Sequence, residues 1–515
     1  MTNPALGLQT NQEIELKLTL DPAQVAAFKR LMARRRVVPT SQNLLTRYFD
    51  TADFALGDLG VALRIRRVGR RWIQTLKSEG DRRGGLSVRA EYESPVPGNT
   101  LDLSRLPPEA LTRIPPPLIK QLMPMFETRF TRTAWLIRNR SGARIEVALD
   151  VGEMRAGARV QPLCEVEVEL KAGRAEFLLD WALALTEQIP LLPFDTSKAE
   201  RGIALARGVE TFPARASAIK LSRNMTIEDG FEVICNACLA QFQANLPGVL
   251  RDDDAEYLHQ ARVALRRLRA TLRLFRRVCP LTVIGLQQSL RSWGAAMGPA
   301  RDWDVLCLET LPAIAPYFAD TQAWAYFAGA AEFQRRSSHQ QMRAQLLETN
   351  PGRVLLQFQH WLAQKPWRAP SPQPGRASAP QTAGKVPTHF QALSDFAVHA
   401  LRSGQRRVRR MAQDFTVLAP DARHELRILI KRQRYAAEFF KSLQTGGKGK
   451  PYLQALIVAQ DGLGQANDAH VASGLLQSLT KTRDKQVAAF VEGWLAHTTT
   501  QTLSPAFERA LKKLA

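Results

Sequence analysis

The stretch Glu13-Ile14-Glu15-Leu16-Lys17 returns in longer form about 150 residues later, as Glu165-Val166-Glu167-Val168-Glu169-Leu170-Lys171. In a strand, alternation places the carboxylates and the lysine of each run on one face and the aliphatic side chains on the other. Carboxylates two residues apart on that face lie roughly 7 Å from each other and need water or cations to compensate them. A solvated strand face would explain one such run, whereas two runs in one small domain favour a divalent-metal site.

Period-two alternation between turn signals surrounds these two runs. It predicts strands at residues 42–49, 62–68, 71–77, 86–92, 129–137, 144–151 and 163–170, and helices at 21–35 and 175–187. Many strands with few helices indicate an antiparallel sheet or a closed barrel. In a closed barrel, charged side chains that share a strand face would line a water-filled interior. Such in-register sets are Arg64 with Arg66, Arg89 with Glu91 and Glu93, Glu146 with Asp150, and Lys77 at the end of its strand.

Beyond about residue 218 the periodicity of the apolar residues becomes helical. The segment His259-Gln-Ala-Arg262-Val-Ala-Leu-Arg266-Arg267-Leu-Arg269 matches His424-Glu-Leu-Arg427-Ile-Leu-Ile-Lys431-Arg432-Gln-Arg434. Each segment is followed, at a similar distance, by a glycine four residues before an aspartate, Asp302 or Asp468. This internal duplication predicts an all-α helical bundle with pseudo-twofold symmetry.

These patterns predict a multidomain chain. The strand-rich domain is expected at residues 8–208, a linker at 209–217 and the helical domain at 218–513. The two helical halves are expected at about 218–364 and 390–513. Between them, residues 365–389 carry six prolines among Ala, Ser, Gly and Gln. Because this composition cannot bury a core, the tract is predicted to be a disordered loop.

The charge of the chain is uneven. Residues 1–210 hold 31 Lys+Arg against 25 Asp+Glu, so most of the net charge of +23 lies beyond them. Such a surplus indicates a polyanionic partner such as polyphosphate, nucleic acid or an anionic membrane. No apolar run approaches the roughly 20 residues of a membrane span, and no signal region is visible, so a cytoplasmic protein without membrane contact is expected. The five cysteines are an odd number, which fits free thiols, and the CxxC motif at Cys235 and Cys238 is interpreted as packing.

The strand-rich domain has no histidine, because all eight histidines of the chain lie at or beyond position 259. A histidine base, a histidine metal ligand and a Ser-His-Asp triad are therefore excluded there. Neither a GxxxxGK[ST] phosphate loop nor a GxGxxG turn is present. The remaining clustered carboxylates and basic side chains suit Mg²⁺ or Mn²⁺ and a phosphorylated substrate.

The first 208 or so residues resemble a CYTH domain of the triphosphate tunnel metalloenzyme family. The resemblance rests on an ordered series of motifs: Glu13-x-Glu15-x-Lys17, Tyr48-Phe49-Asp50-Thr51, Leu63-Arg64-Ile65-Arg66, Thr75-Leu76-Lys77, Arg89-Ala-Glu91-Tyr-Glu93, Arg129-Phe-Thr-Arg132, Glu165 to Lys171 and Ser197-Lys198-Ala-Glu200-Arg201-Gly202. It implies an α+β domain built on an eight-stranded antiparallel closed barrel, a tunnel that admits a triphosphate.

The resemblance also implies roles by position. One or two divalent metals, Mg²⁺ or Mn²⁺, would be held by Glu13, Glu15, Glu165, Glu167 and Glu169. The phosphates would be bound by Lys17, Arg64, Arg66, Lys77, Arg89, Arg129, Arg132, Lys198 and Arg201. Glu13, Glu15, Lys17 and Lys77 are the expected catalytic residues, whereas Glu91, Glu93, Glu146 and Asp150 are either further site residues or internal counter-ions. Cations and guanidinium groups suit phosphoryl transfer because they neutralise the transferring and leaving groups.

The helical remainder resembles a CHAD domain. On a helical wheel, His259, Arg262, Arg266 and Arg269 fall within about 80° of arc, and so do their counterparts His424, Arg427, Lys431 and Arg434. One such stripe is usually a solvated face, but two around a pseudo-dyad favour a shared basic groove. The resemblance implies inorganic polyphosphate as its ligand. Whether the histidines bind phosphate or pair with Asp302 and Asp468 stays open.

The expected function is metal-dependent hydrolysis of inorganic tripolyphosphate to pyrophosphate and phosphate, coupled to polyphosphate binding by the helical domain. One alternative is an organic triphosphate substrate, as in thiamine triphosphatases or class IV adenylate cyclases. A second alternative is a non-catalytic scaffold that docks on polyphosphate or nucleic acid. The intact acidic set disfavours the scaffold, and nucleic acid is the less favoured partner.

Overall fold

The structure, a computed structural model, describes residues 12–78, 80–209, 212–252, 254–368, 388–444, 449–479, 485–501 and 505–515. Its contacts divide the chain into two compact units. The first unit comprises the residues up to Pro213 together with Asn350–Gln364, and the second comprises Ala214–Thr349 and Lys365–Ala515. The predicted domain limits stay a prediction, but the sequence assigned residues 350–364 to the helical half, whereas they pack in the first unit.

The first unit is built on one antiparallel sheet. Its strands are β1 (Gln12–Leu20), β2 (Thr40–Asp50), β3 (Ala62–Val68), β4 (Arg71–Lys77), β5 (Asp81–Arg83), β6 (Leu86–Val96), β7 (Met123–Arg138), β8 (Arg144–Ala156), β9 (Arg159–Ala172) and β10 (Leu191–Pro193). Eight of them pair in the order β1-β9-β8-β7-β2-β3-β4-β6, and pairing of β6 with β1 closes the ring. The predicted closed eight-stranded antiparallel barrel is confirmed.

Six helices accompany the barrel within residues 12–209. They are α1 (Val25–Ala33), α2 (Ala55–Asp58), α3 (Pro108–Leu111), α4 (Pro116–Ile119), α5 (Ala175–Thr186) and α6 (Lys198–Arg207). The main apolar core of this unit lies outside the barrel wall, where Ile14, Leu16 and Leu18 of β1 are fully buried with residues of α1 and α5. Alternation along β1 therefore turns Glu13, Glu15 and Lys17 to the interior, the reverse of an ordinary barrel with an apolar inside.

The second unit is helical, as the 3.6-residue periodicity of its apolar residues predicts. Its main helices are α7 (Ile227–Arg251), α8 (Ala255–Leu274), α9 (Ile284–Asp304), α10 (Leu311–Ile314), α11 (Thr321–Glu348), α13 (Leu393–Gln413), α14 (Pro420–Phe439), α15 (Lys450–Leu479), α16 (Lys485–Gln501) and α17 (Pro505–Leu514), while α12 (Pro351–Gln364) belongs to the first unit. Corresponding helices of the two halves contact each other, α7 with α13, α8 with α14 and α9 with α15. The predicted all-α domain is confirmed, and these contacts agree with an internal duplication.

The proline-rich tract predicted as a disordered loop at 365–389 lies outside the described residues from 369 to 387. The chain on both sides of it is attached to the start of α7. On one side, the buried Glu228 carboxylate accepts hydrogen bonds from Lys365, Trp367 and Arg368. On the other side, the Ile227 N–H donates to the Gln391 carbonyl at 2.9 Å. Both ends of the tract are thereby held at one place on the helical unit.

Two further features concern cysteine and membrane contact. All five cysteines are free thiols, and Cys235 and Cys238 of α7 are fully buried in the helical core. Burial raises the pKa of the Cys238 thiol to about 11, so it stays protonated at neutral pH. Among the helices of the described residues, none combines the length and the apolar character that a bilayer span requires.

Helix α12 joins the barrel unit because its apolar face completes the core outside the wall. Leu356 is fully buried in the cluster of β1, α1 and α5. At its start, Asn350 donates to the Thr186 carbonyl at 2.6 Å and Arg353 pairs with Glu187 at 2.6 Å. Gly352 lies so close to strand β10 that a Cβ atom would stand 1.7 Å from the Leu191 carbonyl oxygen.

Replacing Gly352 by alanine should therefore destabilise the barrel unit by about 1–3 kcal/mol, the usual cost of overpacking, because backbone rather than a flexible side chain must move. Denaturant unfolding followed on the full chain measures this loss. The matched control is Gly329→Ala in α11, where an added Cβ meets nothing within 4 Å. Equal stability of the two variants would contradict the packing of α12 on β10.

Candidate functional site

The barrel encloses a cavity of about 280 Å³. Its lining is almost entirely ionisable and comes from several strands together with the start of α6. The ionisable lining residues are Glu13, Glu15, Lys17, Tyr48, Arg64, Arg66, Lys77, Arg89, Glu91, Glu93, Arg132, Glu146, Glu167, Glu169, Lys171 and Lys198. A cavity of this composition fits a small, highly charged ligand rather than an apolar one.

The two acidic runs that are distant in sequence are neighbours in the wall. Strands β1 and β9 pair so that Glu15 lies opposite Glu169 and Lys17 opposite Glu167. On the other side of β9, Glu146 of β8 lies opposite Glu169. Since directly opposed residues have Cβ atoms about 4.5–5.5 Å apart, these pairings bring Glu15, Glu169 and Glu146 into one row of carboxylates.

The first run is held by cations from β4 and β6. Glu13 accepts from Lys77 at 2.7 Å and from Arg89 at 3.0 Å, and Glu15 accepts from Lys17 and Arg89, each at 2.5 Å. Burial alone would raise the pKa of Glu13, but the Lys77 ammonium and the Arg89 guanidinium hold it below its ordinary value. The Glu13 carboxylate is therefore ionised, and Lys77 and Arg89 are oriented toward the cavity.

A second cluster surrounds Lys198, the first residue of α6. Ser197 caps this helix reciprocally with Glu200, which fixes the direction in which Lys198 enters the barrel. The Lys198 ammonium donates to Asp150 at 2.7 Å, to Glu167 at 2.8 Å and to Glu165.

Oxygens of Asp150, Glu165 and Glu167 all lie within 4.8 Å of one another, as in a metal site. The Lys198 ammonium already lies among these three carboxylates, however, and bonds to each of them. The Arg132 guanidinium donates two further hydrogen bonds to Asp150, at 2.8 and 2.7 Å. Glu165 also accepts from Arg201, is fully buried and does not line the cavity. A metal shared by all three carboxylates would have to displace Lys198. Glu167 lines the cavity whereas Glu165 does not, so the geometry favours Glu167 over Glu165 as a metal ligand.

Within the row, Glu15 is already paired with Lys17 and Arg89, whereas Glu169 and Glu146 are less neutralised. Burial raises the pKa of Glu169 to about 7, although the Lys171 ammonium at 2.6 Å opposes this shift. Glu146 lines the cavity and forms no ion pair within the described part of the chain. The carboxylate oxygens of Glu146 and Glu169 are therefore the least compensated of the row, and carboxylate oxygens are the donors that Mg²⁺ and Mn²⁺ prefer.

Basic groups crowd elsewhere in the cavity. Burial, together with the nearby Arg64 and Arg132, lowers the pKa of Arg66 to about 10. Burial would raise the pKa of Tyr48, but Arg64, Arg66 and Lys198 lower it below its ordinary value. Cations that repel one another in this way create a positive potential that a bound anion would relieve.

Most predicted tunnel residues meet in this cavity, while Arg129 and Arg201 do not line it. Arg129 lies on the outer face, 59% exposed, and pairs with Glu127 at 2.5 Å. Its predicted place in the tunnel is wrong, because residues three apart on β7 cannot both face inward and Arg132 does. Arg201 donates a hydrogen bond to Glu165, and neither residue lines the cavity.

The residues left open or missed also have defined places. Glu91 pairs with Lys77 at 2.9 Å and with Arg64 at 3.3 Å, Glu93 lies 3.9 Å from Arg64, and Asp150 pairs with Arg132 and Lys198. These three have the contacts of counter-ions, whereas Glu146 does not. Tyr48 was not predicted as a lining residue, although its alternation with inward neighbours would have indicated it. Lys171 was placed on the face of the carboxylates, but it was given no role.

In the helical unit, the stripes of α8 and α14 lie close together. Burial, followed by Arg427 and Arg266, lowers the pKa of Lys431 to about 8. Burial and Arg266 lower the pKa of Arg262 to about 10. The Nε atoms of Arg262 and Arg427, which are equivalent in the duplication, are buried and have no hydrogen-bond partner among the residues that the structure describes. The geometry thus brings the central basic residues of both halves into one groove.

The remaining groove residues are less symmetric. His259 is half-buried, and burial and the nearby Arg301 lower its pKa, whereas His424 is exposed. Neither histidine pairs with Asp302 or Asp468 within the residues described. Arg269 packs near Gly294, whereas Arg434 donates to Gln460 at 2.8 Å and pairs with Glu438. The two halves offer different surroundings at equivalent positions.

Comparison with known families agrees with both units. Residues 11–203 match the CYTH domain and residues 233–477 match the CHAD domain. The chain therefore carries a CYTH domain followed by a CHAD domain, which confirms both resemblances seen in the sequence.

Individual relatives fall into the same two groups. The inorganic triphosphatase of Haemophilus influenzae is 34% identical over 201 residues, 38% of this chain, and the chain spans 55% of that relative's length. The crystal structure of the CHAD domain from the plant Ricinus communis is 27% identical with a TM-score of 0.50, covering 59% of this chain and 96% of the other. A Hippeastrum protein, described as a candidate adenylyl cyclase with a dominant triphosphatase activity, is 21% identical with a TM-score of 0.30, covering 38% of this chain and 96% of the other.

Proposed function

We propose that the CYTH domain is a metal-dependent triphosphatase that hydrolyses inorganic tripolyphosphate to pyrophosphate and phosphate. The observation that carries this proposal is the division of one cavity into a row of carboxylates, in which Glu146 forms no ion pair within the described residues, and a crowded set of cations. A triphosphate with divalent metal supplies the charges that both sides lack. The name of the Haemophilus influenzae relative supports the same reaction class.

The residues that would hold Mg²⁺ or Mn²⁺ are Glu13, Glu15, Glu146, Glu167 and Glu169. This set keeps four of the five carboxylates predicted from the sequence and replaces Glu165 by Glu146. A bound divalent cation would neutralise the negative charge that develops on the phosphate oxygens during hydrolysis. Lys17 and Lys77 are held in the cavity by Glu15 and Glu13. Their ammonium groups would stabilise the negative charge that develops on the phosphate oxygens.

The phosphate-binding side of the proposal consists of Arg64, Arg66, Arg89, Arg132 and Lys198. Guanidinium groups bind two phosphate oxygens at once, which fixes both the position and the orientation of a polyphosphate chain. Arg66 has the least compensated charge, since its side chain donates only to the Thr46 hydroxyl, at 3.2 Å, within the described residues. It is the first candidate for a direct phosphate contact.

An inorganic substrate is favoured because the cavity offers little to an organic group. Apart from Tyr48, its uncharged lining consists of Ala62, Ala148, Ser197 and Ala199. A nucleoside or thiamine moiety needs an apolar or aromatic wall to bind.

The experiment that tests this function compares tripolyphosphate, ATP and thiamine triphosphate over a titration of Mg²⁺ and Mn²⁺. The highest kcat/KM is expected for tripolyphosphate. A higher value for ATP or thiamine triphosphate would assign the tunnel to an organic triphosphate instead.

For the CHAD domain, we propose that the groove formed by His259, Arg262, Arg266, Arg269, His424, Arg427, Lys431 and Arg434 binds inorganic polyphosphate. The unpaired Nε atoms of Arg262 and Arg427 support this, because buried donors without partners are costly and a phosphate oxygen would satisfy them. Substituting both by alanine in the full chain should clearly lower the salt concentration at which the protein elutes from immobilised polyphosphate. Unchanged retention would contradict the groove.

Lys431 predicts a pH dependence of this binding. Its pKa of about 8 means that it is charged at pH 7 and increasingly neutral above pH 8. The facing groups Arg427, Arg266 and Arg262 keep that pKa low and Asp468 opposes them. Polyphosphate affinity should therefore fall between pH 7 and 9. In Lys431→Arg, whose charge persists over this range, the fall should disappear, and a decline as steep as that of the unsubstituted chain would count against this assignment.

A further inference from the structure

A second basic site lies on the other side of α14. A cleft of about 400 Å³ opens between the C-terminal end of α8, α13 and α14. Five guanidinium groups and one imidazole line it, from Arg273, Arg276, Arg277, Arg407, Arg432 and His399. Its described lining contains no carboxylate, and none of the five arginines forms an ion pair within the described part of the chain.

This arginine cleft is distinct from the groove proposed above. None of the eight groove residues lines it, although Arg273 continues the same face of α8 one turn beyond Arg269, so the cleft adjoins one end of that stripe. Arg432 follows Lys431 directly, but successive residues of a helix are turned by about 100°, so the two side chains leave α14 in different directions. Arg407 comes from α13, a helix that contributes no residue to the groove.

The arginines of the cleft repel one another. Burial, and after it Arg273 and Arg407, lower the pKa of Arg432, and Glu425 is the carboxylate that acts in the opposite direction. Surface arginines usually find carboxylate partners or spread apart. Five of them around one cavity without such a partner produce a local positive potential that an anion relieves.

The chemistry of the cleft identifies the kind of anion. Guanidinium forks match phosphate oxygens. Of the two aromatic residues in the lining, Phe439 is only 1% exposed. The partly buried Phe396 already stacks on Phe275, with ring centroids 4.8 Å apart, so little open ring surface remains for a nucleobase. His399 also lines a neighbouring cleft with Arg402, Arg406, Arg409 and one carboxylate, Asp395, so the basic surface continues along α13. A ligand with closely spaced phosphates and no base suits this surface best.

We propose that the arginine cleft is a second binding site for inorganic polyphosphate, separate from the groove of α8 and α14. The two sites would give the helical unit two points of attachment on one chain, which raises the overall affinity by the effective concentration of the second contact. The proposal is independent of catalysis in the tunnel.

The test uses the full chain and a fluorescently labelled polyphosphate of defined length at physiological salt. The cleft variant combines Arg273→Gln, Arg407→Gln and Arg432→Gln, and the groove variant combines Arg262→Gln with Arg427→Gln. The control variant, Arg509→Gln with Lys512→Gln and Lys513→Gln on α17, removes the same charge from exposed positions outside both sites.

In the groove variant, residual polyphosphate binding is expected, and adding the cleft substitutions should weaken it roughly tenfold or more. Adding the control substitutions to the groove variant should leave this residual binding unchanged. Lysine at the three cleft positions should give intermediate affinity, since charge remains but the fork is lost.

Two results would overturn the proposal: equal residual affinity with the cleft and control substitutions, or displacement of the polyphosphate more readily by duplex DNA than by unlabelled polyphosphate. Wild-type affinity in the groove variant, with loss in the cleft variant, would remove the groove proposal and leave the cleft standing.

Discussion

Glutamine at both Glu13 and Glu15 should lower kcat for tripolyphosphate hydrolysis on the order of a thousandfold. The amides keep the volume of the carboxylates but are weak ligands for a hard divalent cation. They also release Lys77 and Arg89, which the two carboxylates hold at 2.5 to 3.0 Å. Metal titration of phosphate release measures the effect.

The KM of the same variant separates this account from a general loss of structure. Two negative charges leave the cavity, so its attraction for a polyanionic substrate should rise, and KM should not increase. The matched control replaces the exposed Glu153 and Glu176, which pair with Arg155 and Arg174 on the surface, by glutamine. A kcat within a few-fold of the control would remove these two glutamates from the metal site.

Asparagine at Asp150 should cost about 3–5 kcal/mol of the unfolding free energy of the barrel unit, the usual effect of breaking a buried ion pair. Asp150 is fully buried and is shared by the Arg132 fork and the Lys198 ammonium. The amide leaves these two cations near each other with less negative charge between them. Denaturant unfolding of the full chain provides the measurement.

A second substitution tests the reason for that loss. Lys198→Met removes one of the two cations, so Asp150→Asn combined with it should be less destabilising than the sum of the two single variants. Strict additivity would show that Asp150 acts through packing rather than through charge.

The barrel could be predicted because several wall strands carry charged residues at alternate positions. Arg64 with Arg66, or Glu13 with Glu15, needs only the period of two to be placed inside. The same rule would have excluded Arg129, which is three residues from Arg132.

Other features of the site depend on contacts that no local pattern contains. Lys198 reaches Glu165 and Asp150 only because a capped helix enters the barrel, and that contact decides which carboxylates remain free for a metal. The place of α12 is similarly non-local, since its amphipathic pattern is equally compatible with either unit. In the helical unit, the internal duplication predicted the shared groove. It could not predict that His259 is half-buried beside Arg301 while His424 is exposed, because this difference depends on non-local neighbours.

Phosphorus NMR of tripolyphosphate incubated with the full chain tests the central claim most directly. With Mg²⁺ or Mn²⁺, pyrophosphate and phosphate should appear in equal amounts, and a chelator should stop their formation. Tripolyphosphate that stays intact with every divalent metal, or that is hydrolysed as fast in the chelator, would contradict the account.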